Sequence, residues 1–119
     1  MTSVPIISFA DQPLREQAGA PDPSKVLKGT PQNHTKLFFE SADGDFVSGT
    51  WKSTPGTWRA LSGKDEFCYI VEGHVRLISD SGEIREYRAG DAFVVPNGFS
   101  GLWEVVEDTV KHYAIRKYR

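Results

Sequence analysis

Cysteine is nearly absent from this chain of 119 residues, and the chain has neither a long apolar run nor a strong net charge. The single cysteine, Cys68, cannot form an internal disulfide, which fits a reducing compartment. No apolar run exceeds five residues, whereas a membrane-spanning helix needs about 20. The formal net charge of −2 gives no excess of positive charge for binding nucleic acid. Residues 1–5 lack the basic and apolar regions of a signal peptide. We therefore expect a cytoplasmic protein with neither nucleic acid nor membrane as a partner.

Residues 1–35 differ from the rest of the chain in their proline content. Five of the seven prolines lie before residue 32, and strand-like alternation is scarce there. Because proline fixes φ and has no N–H, we expect an extended arm with brief strands at residues 4–9 and 25–27. This arm is predicted to pack over the domain or over a partner subunit. Residues 36–119 are predicted to form a single domain, the number that a chain of this length accommodates.

From residue 36 onward, short apolar strands alternate with glycine-containing turns. The predicted strands cover residues 36–42, 46–52, 57–61, 65–72, 74–80, 83–88, 92–95, 101–107 and 109–116. Their spacing of about 8–12 residues is typical of an antiparallel sandwich or barrel. No segment carries an apolar stripe of helical period over three turns, so little helix is expected. The sequence therefore predicts an all-β fold.

Two motifs together are specific. Six residues separate Glu66 from Gly73 at the end of an apolar strand, and residues 90–98 follow the pattern G-x5-P-x-G after a spacer of sixteen residues. This pair resembles the two-motif core of the cupin superfamily, whose members are RmlC-like jelly-roll barrels. Further similar segments lie at residues 49–51, 55–56, 65–69, 98–104 and 111–113. They resemble the branch of (S)-ureidoglycine aminohydrolase-like and ethanolamine-utilisation-like small cupins.

The resemblance covers roughly residues 36–117. It implies an antiparallel double-sheet jelly-roll barrel with an interior of ligand size. It does not specify a reaction, because this fold hosts many chemistries.

Metal-binding cupins carry the first motif H-x-H-x(3,4)-E-x(6)-G and a histidine three residues after P-x-G. Other residues occupy those histidine positions here, namely Ala60 and Ser62 (Arg59 and Leu61 in the longer spacing) and Gly101. Only Glu66 is left of four ligands, whereas a first-row metal ion needs three or more good donors. We therefore expect no metal and no cofactor. A non-standard site built from Glu66, His112 and one further donor is the alternative.

Glu66 is the candidate catalytic residue. Strand alternation places it on one face with Cys68 and Ile70, and the resemblance places that face inside the barrel. A carboxylate there needs a cation, a hydrogen-bonding ligand or a raised pKa. It could be a general acid/base or an anchor for an amine or amide group. The other interpretation is a structural ion pair with Arg59, Lys111 or another base.

Three tryptophans, Trp51, Trp58 and Trp103, are candidate ligand-binding residues. An indole face suits a flat or cationic ligand, although packing in the core or at a dimer interface is the alternative. Alternation places Trp103 on the same inward face as Gly101. Its bulk could therefore plug the barrel.

Arg59 and His112 complete the candidate ligand-binding set. Arg59 could hold a carboxylate with two hydrogen bonds, or it could be an ordinary surface arginine. His112 follows Lys111 directly, so at most one of the two faces inward unless a bulge intervenes.

The favoured hypothesis is a metal-independent small cupin that binds a small polar metabolite, nitrogen-containing by resemblance, with Glu66 as the central polar group. Any chemistry would be proton transfer, so whether the protein is an enzyme stays open. The alternatives are a non-catalytic oligomeric or interaction module with a filled barrel, and an unconventional metal-dependent cupin. A homodimer is expected because Phe67, Tyr69 and Val71 give one sheet face an apolar surface.

Overall fold

The computed structural model describes residues 3–119. The strands are β1 (Arg15–Gly19), β2 (Val26–Gly29), β3 (Asn33–Glu40), β4 (Phe46–Ser53), β5 (Gly56–Leu61), β6 (Lys64–Ser79), β7 (Ile84–Arg88), β8 (Ala92–Val95) and β9 (Ser100–Lys117). One 3-10 turn, Pro23–Lys25, precedes β2. Within residues 3–119 there is no helix long and apolar enough to cross a membrane.

The two longest strands, β6 and β9, pair antiparallel over most of their length and belong to both sheets. The second half of β9 pairs with β4, which continues to β3 and β1, while the first half pairs with β5, which continues to β2. On its other side β6 pairs first with β8 and then with β7. One sheet therefore has the order β1-β3-β4-β9-β6-β8 and the other β2-β5-β9-β6-β7. This arrangement confirms the predicted all-β, double-sheet jelly roll.

Gly73, the glycine of the first motif, lies at a β-bulge and not at the end of a strand. The sequence predicted breaks after residues 72 and 107, but β6 and β9 each continue through that point. Gly73 adopts φ +108, and a Cβ there would collide with the side chain of Thr109. The Thr109 hydroxyl in turn accepts a hydrogen bond of 3.2 Å from the His74 N–H. Because a bulge bends a strand without ending its pairing, the same two strands can serve both sheets.

The core lies between the sheets and follows the alternation of the strands. Its larger cluster of buried side chains comprises Cys68, Ile70, Val75, Leu77, Phe93, Val95, Trp103 and Val105. A smaller cluster contains Leu37, Val47, Tyr113 and Ile115. Trp51 packs against both clusters, so these inward-facing residues form a continuous apolar wall.

Of the two strands predicted in the N-terminal segment, one is present. Residues 25–27 overlap β2, which pairs with β5. The prediction of a strand at residues 4–9 is wrong, because those residues form no strand. Pro5 has no N–H for a ladder, and the chain turns at Ser8, whose carbonyl accepts a 3.1 Å hydrogen bond from the Asp11 N–H. β1 pairs with β3. The predicted boundary at residue 36 falls inside β3.

Candidate functional site

A cavity of about 490 Å³ lies inside the barrel. Its walls come from β3, β4, β5, β6, β8 and β9 and from the segment that precedes β2. The aromatic side chains that line it are Trp51, Trp58, Phe99, Trp103 and Tyr113. The volume falls within the range of about 300–1,000 Å³ that is typical of small-molecule sites. Trp103 therefore forms part of the wall and leaves the interior open.

An ion pair between Glu66 and Lys111 occupies the inner part of this cavity. The Lys111 ammonium donates a hydrogen bond of 2.8 Å to Glu66 Oε2, and the two residues are only 5% and 9% exposed. Glu66 comes from β6 and Lys111 from β9, where alternation turns Lys111 inward. This is one of the ion pairs that the sequence left open for Glu66.

Each partner of the pair holds the other in its charged form. Burial by itself would raise the pKa of Glu66, but the charge and hydrogen bond of Lys111 outweigh it and the pKa lies below 4.5. Burial by itself would lower the pKa of Lys111, but Glu66 keeps it above 10.5. At neutral pH the pair is therefore a carboxylate and an ammonium with no net charge.

Aromatic rings enclose the ammonium on two sides. Lys111 Nζ lies 4.5 Å from the ring centroid of Trp51 and 4.3 Å from that of Trp103, a geometry in which the ring faces attract a cation. Cys68 is buried beside the pair. Burial raises the pKa of its thiol to about 12, with Lys111 opposing and Glu66 adding to the shift. The thiol is therefore neutral at physiological pH and is no candidate nucleophile.

The residues present do not fit the four-ligand metal site of metal-binding cupins. Ala60 and Ser62 line the cavity without an imidazole, and a Cβ at Gly101 would collide with the carbonyl oxygen of Ile78. Within the part of the chain that the structure describes, no three His, Cys, Asp or Glu side chains are grouped so that they could hold a metal ion. The one ligand position that is kept, Glu66, contacts an ammonium.

Arg59 lines the cavity, but its guanidinium is engaged by the protein itself. Its two terminal nitrogens donate 2.6 Å hydrogen bonds to the two carboxylate oxygens of Asp80, and one of them also reaches Ser100 at 2.9 Å. The Arg59 hydrogen bond, helped by that from Ser100, lowers the pKa of Asp80 to about 2. Arg59 thus binds a carboxylate bidentately, as its chemistry suggested, and the carboxylate is Asp80.

His112 lies on the face of β9 opposite to Lys111. Its Nδ1 is 3.0 Å from the Thr50 hydroxyl oxygen, and its ring packs against Phe9 and Tyr69. The structure therefore brings five of the six predicted site residues to the cavity and places His112 outside it. The five are Trp51, Trp58, Arg59, Glu66 and Trp103.

Two lysines outside the predicted set also line the cavity, Lys25 and Lys64. Lys64 is two residues before Glu66 on β6 and shares its face, so strand alternation alone could have found it. Lys25 ends the 3-10 turn in the N-terminal segment. No local pattern connects that turn to the barrel interior, because the pairing of β2 with β5 brings it there.

Two antiparallel sheets that share their longest strands around a polar cavity define a cupin-type barrel. Residues 40–113 match the EutQ-like cupin domain family. The chain therefore belongs to that family, and the resemblance drawn from the two motifs is confirmed. A comparison with curated proteins finds no match.

Solved structures of similar fold include a protein of unknown function of the DUF861 family from Pseudomonas syringae pv. tomato (TM-score 0.78, 26% identity), with 88% of this chain and 46% of that one covered. The chain thus spans less than half the length of the Pseudomonas protein. The Clostridium difficile EutQ protein aligns with a TM-score of 0.66 and 18% identity over 94% of this chain and 80% of its own. A DUF861 family protein from Thermotoga maritima aligns with a TM-score of 0.52 and 30% identity over 54% and 73%.

Proposed function

We propose that this protein is a metal-independent cupin that binds a small polar metabolite inside its barrel. The observation that carries the proposal is the cavity of about 490 Å³ with the Glu66–Lys111 pair set among tryptophan rings. Convergent polar groups in a cleft with aromatic and aliphatic walls are what small-molecule sites provide. The resemblance to cupins of ureide and ethanolamine metabolism favours a nitrogen-containing compound.

Binding fits the ionisation of the pair better than catalysis does. A general base works best when its pKa is near the operating pH, and even then it contributes about 10²–10⁴-fold. The pKa of Glu66 lies below 4.5, so its carboxylate is a weak base. If proton transfer occurs, the Glu66 carboxylate accepts the proton and the Lys111 ammonium is the nearby donor.

A thermal-shift screen of ureides, amines and amino-acid derivatives, run with and without EDTA, tests the proposal. A cognate compound should raise the melting temperature in both conditions, since a ligand at 100 times its Kd stabilises the folded state by about 2.7 kcal/mol. Trp58→Leu should weaken binding because Trp58 lines the cavity. Phe67→Leu, on the outer face of β6, is the matched control and should not. Failure of every compound, or equal affinity in the Trp58 variant, would refute the proposal.

A second role, as a homodimeric module, is favoured by an exposed apolar patch on the outer face of β6 and β8. Phe67 and Val94 pair across these strands and are 46% and 57% exposed. Tyr69 and Val71 continue the patch along β6 and are also exposed. We propose that a second copy of the chain covers this surface, because contiguous exposed apolar area favours association.

Light scattering coupled to size exclusion tests the dimer. The wild-type protein should elute as a dimer and Phe67→Glu as a monomer, because a carboxylate in the interface would be buried without a partner. Ile84→Glu, which changes an exposed apolar residue on β7, should leave the dimer intact. A monomeric wild type, or a dimer that survives Phe67→Glu, would disprove this interface.

A further inference from the structure

The charges that line the cavity do not cancel. Four of the lining side chains are cationic and one is acidic, the cations being Lys25, Arg59, Lys64 and Lys111 and the acid Glu66. Glu66 neutralises Lys111 at 2.8 Å, and Asp80 neutralises Arg59 at 2.6 Å. Lys25 and Lys64 are the two cations left over, which gives the cavity an excess of positive charge.

Neither of these two ammonium groups has an ion-pair partner within residues 3–119. Lys64 is half-buried on the inward face of β6. Lys25 is exposed. The Asp22 carboxylate on the same turn accepts hydrogen bonds of 3.0 and 2.9 Å from the backbone N–H and hydroxyl of Ser24, and its charge offsets part of that of Lys25. Lys64 is partly desolvated and therefore attracts an anion more strongly than a lysine in bulk water, since the effective dielectric constant around it is lower.

Uncharged groups complete the lining. Trp58 presents a half-buried indole to the cavity, and Asn33, Thr35 and Ser62 also line it. An indole face packs well against a flat or apolar molecular body, and the amide and hydroxyls can hydrogen-bond to polar substituents. The anionic group of a ligand would be held by the lysines and its body by this wall.

We propose that the cavity selects a small organic carboxylate, with the half-buried Lys64 as its main binding cation and the exposed Lys25 as a second one. This inference rests on the proposed function and gives the chemical class of its ligand. It also changes the assignment of the anchoring group, because the sequence pointed to Glu66 as the anchor for an amine. Glu66 is already neutralised by Lys111, so an amine would meet a net positive charge.

Calorimetry and thermal shift with two sets of probes of matched shape test the proposal. One set is phenylacetate with phenylacetamide and phenethylamine, and the other is succinate with succinamide. The carboxylates should bind in preference to the amide and amine, and added salt should weaken them. Lys64→Gln should lower carboxylate affinity about 10- to 100-fold, the range of a charge-assisted hydrogen bond. Lys25→Gln should lower it by at most about 5-fold, because Lys25 is exposed. Lys64→Arg should retain binding, which guards against a folding defect in Lys64→Gln.

Lys52→Gln is the matched control, since it removes the same charge from the outer face of β4 and should leave carboxylate affinity unchanged. Amide or amine binding that equals or exceeds carboxylate binding would overturn the inference and leave the proposed function standing. The same holds if Lys64→Gln and Lys25→Gln behave like Lys52→Gln. If neither these probes nor the nitrogen-compound screen yields any ligand, the proposed function fails and the inference fails with it.

Discussion

Removal of one charge from the Glu66–Lys111 pair is the sharpest test of how this barrel is built. Glu66→Gln keeps the shape of the side chain and an oxygen that can accept from Lys111, but it takes away the carboxylate charge. Lys111 is only 5% exposed, so water in the cavity replaces the lost carboxylate only in part. Removing one partner of a buried ion pair costs about 3–5 kcal/mol of stability. We expect Glu66→Gln to lower the free energy of unfolding by about 3 kcal/mol, because a hydrogen bond to Lys111 is retained.

The double variant distinguishes an ion pair from mere packing. Lys111→Met alone strands the Glu66 carboxylate in the cavity and should cost a similar amount. Glu66→Gln combined with Lys111→Met removes both charges and should lose much less than the sum, because neutral replacement of a buried pair is often near neutral. A coupling energy of at least about 2 kcal/mol is expected from these figures.

Urea unfolding monitored by tryptophan fluorescence measures these values, since Trp51 and Trp103 contact the ammonium directly. A loss of 3 kcal/mol would lower the melting temperature by very roughly 12 °C in a domain of this size. Arg15→Gln, which breaks an exposed 3.3 Å pair with Glu40, is the control and should cost at most about 1 kcal/mol. If both single variants of the buried pair cost less than that and are additive, the reasoning is refuted.

Three more predictions concern the same interior. Gly101→Ala should destabilise the fold by about 1–3 kcal/mol, because its Cβ would meet the neighbouring backbone, whereas Gly63→Ala, with open space around it, should be near neutral by thermal melting. The Cys68 thiol, with its pKa raised to about 12, should react with a disulfide reagent at pH 8 only after unfolding; rapid reaction of the native protein would contradict its burial. The free energy of unfolding of the wild type relative to that of the double Glu66/Lys111 variant should be constant from about pH 5 to 10. This relative stability should fall on acidification, since the folded pKa of Glu66 is below 4.5. It should also fall above pH 10.5, since the folded pKa of Lys111 is raised. A pH-independent difference would exclude linkage through this pair.

Several features of the candidate site could be predicted because they follow from local alternation. The period of two along a strand grouped Glu66 with Cys68 and Trp103 with Gly101, and the cupin resemblance placed those faces inside the barrel. Glu66 and Trp103 both line the cavity. Lys64 was missed although the same rule applies to it, because it lies at the very start of β6. Lys25 could not have been found, because its place depends on the pairing of a short edge strand.

The class of fold was determined by the sequence itself. Short alternating strands, glycine-rich turns and the spacing between Glu66 and Gly98 are local features, and each limits the backbone wherever the strand is finally placed. The absence of histidine from the usual ligand positions is likewise a property of the chain alone.

Only the tertiary structure decided which charges meet. Lys111 reaches Glu66 across 45 residues, and Asp80 reaches Arg59 across 21, because antiparallel registers bring those positions side by side. The bulge at Gly73 carries β6 and β9 from one sheet to the other, and a register shift at such a point is invisible in an alternating pattern. The positive excess of the cavity arises from that pairing, since the same lysines would have no common site in an unpaired chain.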